Sequence, residues 1–136
     1  MLDRLFCYGT LCVPDIMRHI IGRSIPGVPA VLEDYACYTL RNERYPAVVS
    51  APGESTAGLL YGGLTQKELA LLDRYEGTEY RRQRVSVATE EGRRAQSWVY
   101  IIRPQYSARL SDQPFDLEDY LETEVQEYLR GMPFRN

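Results

Sequence analysis

The chain has 136 residues, 44% of them hydrophobic and 26% charged, with a formal net charge of -3. That length and composition fit one compact domain over residues 1–136. The acidic balance excludes a surface built to neutralise phosphate backbones, so nucleic acid is not an expected partner.

In chain order, residues 4–8 predict a short strand, followed by the turn Gly9-Thr10-Leu11. Pro14–Ile21 predicts a helix with Ile16, Met17, Ile20 and Ile21 on one side and Gly22 as its stop. Strands are expected at 31–40, at "YPAVVSA" and at "AGLLYG", where apolar and aromatic residues gather between Asn, Pro and Gly. Thr65 and Glu68 fit a capping box, with Leu64 and Leu69 as a hydrophobic staple, so a helix should begin there. It should turn Leu69, Leu72 and Tyr75 inward and end at Glu76, with Gly77 in a left-handed C′ position. "RVSVAT" and "QSWVYII" alternate around "EEGR" and read as a hairpin, with Trp98, Tyr100 and Ile102 on one face. "FDLEDYLETEVQEYLRG" carries a 3.6-residue apolar stripe and predicts a third helix. Six strands and three helices, mostly antiparallel, give an α+β fold: a small mixed, mainly antiparallel β-barrel with flanking helices.

The longest apolar runs fall short of the roughly 20 residues that cross a bilayer, and the N-terminus lacks a signal-peptide core, so a cytoplasmic protein is expected. Cys7, Cys12 and Cys37 show neither zinc-ligand spacing nor disulfide density and read as core thiols. With one histidine, His19, on a predicted helix, and no carboxylate cluster, neither a metal nor a cofactor is expected. Arg81, Arg82 and Arg84 alternate along a strand, so they read as solvated residues paired with acids rather than as one phosphate patch. Thr10 reads as a turn hydroxyl capping the backbone.

Glu76 stands apart. A carboxylate at a helix C-terminus faces the negative end of the macrodipole, which disfavours its charge by about 0.3–1 kcal/mol. Either an arginine neutralises it, or it serves as a general acid/base enclosed by aromatics such as Tyr75 and Tyr80.

"LFCYGTL", "RYPAVV" at 44–49, "GLLYG" at 58–62 and "LDRYEGTEYRR" at 72–82 occur in an order that resembles the γ-glutamylcyclotransferase-like proteins. The likeness covers nearly the whole chain and is closest to the bacterial and plant branch containing avirulence-induced plant proteins. It implies that Glu76 is the catalytic acid/base and that Tyr8, Gly9, Thr10 and Leu11 hold the γ-glutamyl end of a small-molecule substrate. Tyr80 and Tyr100 would wall the cavity. The implied reaction cyclises a γ-glutamyl group to 5-oxoproline and frees an amine, without metal or cofactor. The motif leaves the leaving-amine side to variable segments, such as "RNER" at 41–44 or the loop from Arg103 to Gln113. The alternative is a non-catalytic module on the same fold, binding a small ligand or presenting a protein surface.

Overall fold

A computed structural model describes residues 2–40, 46–115 and 122. Among these residues, six strands and two helices follow in the order β1 (Asp3–Cys7), α1 (Pro14–Ile21), β2 (Gly27–Leu40), β3 (Pro46–Leu64), α2 (Gln66–Glu76), β4 (Tyr80–Thr89), β5 (Arg94–Ile102) and β6 (Leu110–Pro114). Apart from Phe115 and Glu122, the expected C-terminal helix lies outside the described residues, as does "RNER". Among the described residues, no helix is long and apolar enough to cross a membrane.

Both helices begin and end where the sequence places them, because their boundaries are set by local chemistry. Pro14 opens α1, and Gly22 ends it in the left-handed conformation at φ 83°. At α2 the Thr65 side chain accepts from the Glu68 N–H, and the Glu68 carboxylate accepts from the Thr65 N–H. Gly77 closes α2 at φ 86° and ψ -174°. That is not the left-handed helical region expected from sequence, but an extended conformation that only glycine adopts readily.

Strand β3 pairs with β1 and β2, β2 with β4, β4 with β5, and β5 with β1, so five strands close into a barrel. The β1–β5 pair is parallel and the others are antiparallel. The two apolar segments expected as separate strands form one 19-residue β3. Its pairing with β2 slips between Glu33 and Tyr35, where Asp34 has φ 67° and its carboxylate accepts from the Gly53 N–H at 3.0 Å. The sixth strand is β6, which lies in the segment expected as a loop; it pairs with Tyr38 and Leu40 of β2.

Alternation along each strand divides the core in two. Phe6, Tyr8, Leu32, Val48, Leu60, Val85, Val87 and Val99 fill one cluster. The other, containing Leu5, Cys7, Tyr61, Leu64, Tyr80, Tyr100 and Ile102, packs with Ile16 and Met17 of α1 and Leu69 and Leu72 of α2. Each of the large aliphatic or aromatic side chains contributes about 1.5–3 kcal/mol by leaving water. The helices are thereby seated beside the end of β1, and α2 delivers its last residue, Glu76, toward that end. Close packing there explains Gly58: a Cβ would overlap the Cys7 carbonyl oxygen and come within 2.8 Å of Phe6 Cζ.

Candidate functional site

The chain leaves β1 through Tyr8 and Gly9 into a 3-10 turn over Thr10–Cys12, in which Cys12 and Val13 donate to the carbonyls of Gly9 and Thr10. Gly9 lies at φ -130° and ψ -131°, so no positive φ calls for glycine there. Its missing side chain has a steric reason instead, since a Cβ would stand 3.0 Å from Pro46 Cγ. This close approach to Pro46 was not apparent from the sequence. Thr10 is buried, and its hydroxyl accepts from Tyr75 at 3.3 Å; this side-chain contact was not foreseen by the backbone-cap reading. Leu11 is buried and its carbonyl accepts from the Tyr61 hydroxyl at 2.8 Å.

Glu76 meets this turn across one small cavity. Its lining comprises Tyr8, Gly9, Thr10, Leu11, Glu76, Tyr80 and Tyr100, together with Phe6, Cys7 and Pro46. All seven residues that the resemblance assigned to the site line this cavity, the turn at 8–11 lying more than 60 residues from Glu76, Tyr80 and Tyr100, whereas Tyr75, also expected to enclose Glu76, is not part of the lining. The free volume is about 20 Å³, close to the space of a single water. Glu76 is partly buried, and its charge is felt by its neighbours. Burial first of all pushes the Cys7 thiol and the Tyr8 and Tyr100 phenols up from their ordinary values, and the Glu76 carboxylate adds to the shift at each.

The aromatic walls are pinned by their hydroxyls. Tyr8 donates to the Tyr100 carbonyl at 2.6 Å, and Tyr80 donates to the Pro46 carbonyl at 2.8 Å. Tyr100 donates to Asp73 Oδ1 at 2.7 Å, and Arg82 donates to both Asp73 oxygens at 2.6 and 3.1 Å. Asp73 was missed in the sequence, although its position three residues before Glu76 on a helix puts the two on neighbouring sites of one face.

On the other side of Tyr80 and Tyr100 lies an open cleft of about 530 Å³, lined also by Asp73, Arg74, Gly77, Thr78, Arg81, Arg82, Trp98 and Arg103. The Trp98 ring lies under both the Arg82 and Arg84 guanidinium groups, at 4.6 and 4.4 Å from its centroid. Arg82 and Arg84 pair with Asp73 and Asp3, in line with the expected acid pairing. Arg81, despite strand alternation, joins Arg82 at the cleft. His19 is exposed on α1, and Cys7 and Cys12 are buried. Among the described residues, no three His, Cys, Asp or Glu side chains gather as metal ligands.

Residues 5–130 match the family model described as Gamma-glutamyl cyclotransferase, AIG2-like. AIG2-like protein D of Arabidopsis thaliana is 31% identical over 86 residues, which are 63% of this chain and 57% of that protein. The matches span about half the length of such curated relatives. The solution structure of an Arabidopsis thaliana protein superposes with a TM-score of 0.76 at 24% identity, covering 96% of this chain and 79% of that one. A structure of a protein named gamma-glutamyl cyclotransferase gives 0.68 at 20% identity, covering 100% and 90%. At these identities the structures show a shared fold.

Proposed function

The chain belongs to the gamma-glutamyl cyclotransferase, AIG2-like family, and we propose that it cyclises the γ-glutamyl group of a γ-glutamyl amine or amino acid to 5-oxoproline. The observation that carries this reading is the meeting of Glu76 with the turn after β1 in one small cavity. In this proposal Glu76 is the catalytic acid/base. Tyr8, Gly9, Thr10 and Leu11 hold the γ-glutamyl end, and Tyr80 and Tyr100 wall it in.

The nucleophile belongs to the substrate, so the protein supplies folding of that substrate and proton transfer. The Glu76 carboxylate takes a proton from the α-ammonium group, and the freed nitrogen attacks the γ-carbonyl carbon. As the new C–N bond forms, the carbonyl electrons move onto oxygen. N–H groups at the start of the 3-10 turn, ahead of its first internal hydrogen bonds, suit that developing charge. The electrons return as the bond to the amine breaks, and Glu76 hands its proton to the departing nitrogen. The ring nitrogen loses a second proton by the same route, so both end on the released ammonium. The free volume is small, so entry of the glutamyl group requires the lining to open.

The test is to incubate the protein with a panel of γ-glutamyl amino acids and amines and to quantify 5-oxoproline and free amine. Equal amounts of the two are expected. Glutamate in place of 5-oxoproline would contradict ring closure, and binding without turnover across the panel would leave the non-catalytic module as the reading.

A further inference from the structure

The cleft beyond Tyr80 and Tyr100 concentrates positive charge on a chain whose net charge is -3. Among the described residues, four arginines line it against a single carboxylate, that of Asp73, which Arg82 and Tyr100 already engage. Among the described residues, Arg74, Arg81 and Arg103 form no ion pair with a carboxylate. Arg81 donates to the neutral amide oxygen of Gln83, and Arg103 Nε donates to the Thr78 carbonyl. Arg74 is exposed at the cleft, one turn of α2 below Gly77. Guanidinium forks with unused donors match the geometry of a carboxylate or phosphate.

The cleft is also placed for one end of a substrate. Tyr80 and Tyr100 line both it and the Glu76 cavity, and Glu76 on the cavity wall is followed directly by Gly77 on the cleft wall. Adjacent Cα atoms are about 3.8 Å apart, so a small group attached to the scissile amide nitrogen can reach from one to the other.

Resting on the proposed cyclisation, we infer that the cleft is the leaving-group subsite and that it selects a leaving amine bearing an anionic group, with Arg74, Arg81 and Arg103 as its specificity-determining residues. Substrates whose amine ends in a carboxylate are therefore preferred over those with a neutral alkyl amine of similar size.

Trp98 is the only tryptophan and lies in the cleft, so its fluorescence reads occupancy independently of turnover. The full chain is titrated with γ-glutamylglycine and with γ-glutamylethylamine, whose leaving amine lacks the carboxylate, and 5-oxoproline is followed in parallel. Arg74→Gln combined with Arg81→Gln is compared with the unaltered chain. Tighter binding of γ-glutamylglycine is expected, and the double substitution should shrink that preference about tenfold, the scale of a lost charge-assisted hydrogen bond. Preference at Trp98 without 5-oxoproline release would leave the subsite standing and remove the cyclisation. Turnover of both compounds with equal binding, or a preference indifferent to the arginines, would remove the subsite and leave the cyclisation. Absence of any response to γ-glutamylglycine would also overturn the subsite.

Discussion

Replacing Asp73 with alanine removes the acceptor that ties the last turn of α2 to the β4–β5 hairpin. Two interactions go with it, the Tyr100 hydroxyl at 2.7 Å and the two-pronged Arg82 pair at 2.6 and 3.1 Å. A hydrogen bond to an ionised acceptor contributes about 1.5–3 kcal/mol. Breaking a buried ion pair costs about 3–5 kcal/mol, whereas an exposed pair contributes about 1 kcal/mol or less. The Arg82 side chain is 21% exposed and the Asp73 side chain 43%, so the pair belongs between these limits. Arg82 can also keep its stacking on Trp98. A combined loss of about 3 kcal/mol follows, equivalent to a fall in Tm of roughly 10 °C for a chain of this length. Urea denaturation should show a lower midpoint with an unchanged slope. A double-mutant cycle with Tyr100→Phe should return a coupling of about 1 kcal/mol. A loss of about 0.5 kcal/mol or less, or strict additivity of the two substitutions, would refute the tie.

Gly58→Ala should destabilise by about 3 kcal/mol, because the new methyl group overlaps the Cys7 carbonyl and presses on Phe6, and β1 must shift; urea denaturation measures it. The Arg23 guanidinium beside Glu68, with the Thr65 N–H, holds that carboxyl down from 4.5 to about 2. Its contribution is therefore present above pH 4.5 and fades as the pH falls toward 2. Because Arg23 is nearly half exposed, about 2 kcal/mol of acid-labile stability is expected, and melting curves of Glu68→Gln should lack that dependence. Turnover should survive exhaustive EDTA treatment, since the proposed scheme asks only for proton transfer by the Glu76 carboxyl group; loss of activity restored by one divalent cation would contradict the acid/base scheme.

Elements whose boundaries depend on neighbouring residues were legible in the sequence. Pro14 and Gly22 bound α1, and the Thr65–Glu68 box opens α2, because caps act within one turn. Strands were less legible because their limits depend on distant partners. "YPAVVSA" and "AGLLYG" read as two strands, but β2 pairs with both across the Asp34 irregularity and joins them into one. β6 is polar and short, and pairing with β2 defines it. At the site, Glu76 and the Tyr8–Leu11 turn stood out through helix position and motif resemblance. Asp73 did not, because its meaning comes from Tyr100 and Arg82 on another element. Pro46, likewise, acquires its importance only where it meets Gly9.

The single-turnover rate of 5-oxoproline formation by Glu76→Gln tests the central claim most directly. Glutamine keeps the shape and hydrogen-bonding reach of glutamate but cannot take up the α-ammonium proton. The rate should fall by roughly 10² to 10⁴, the contribution of a general acid/base group, while γ-glutamyl binding and the melting temperature are retained. A near-normal rate accompanied by a lowered melting temperature would contradict the account and make Glu76 a structural residue.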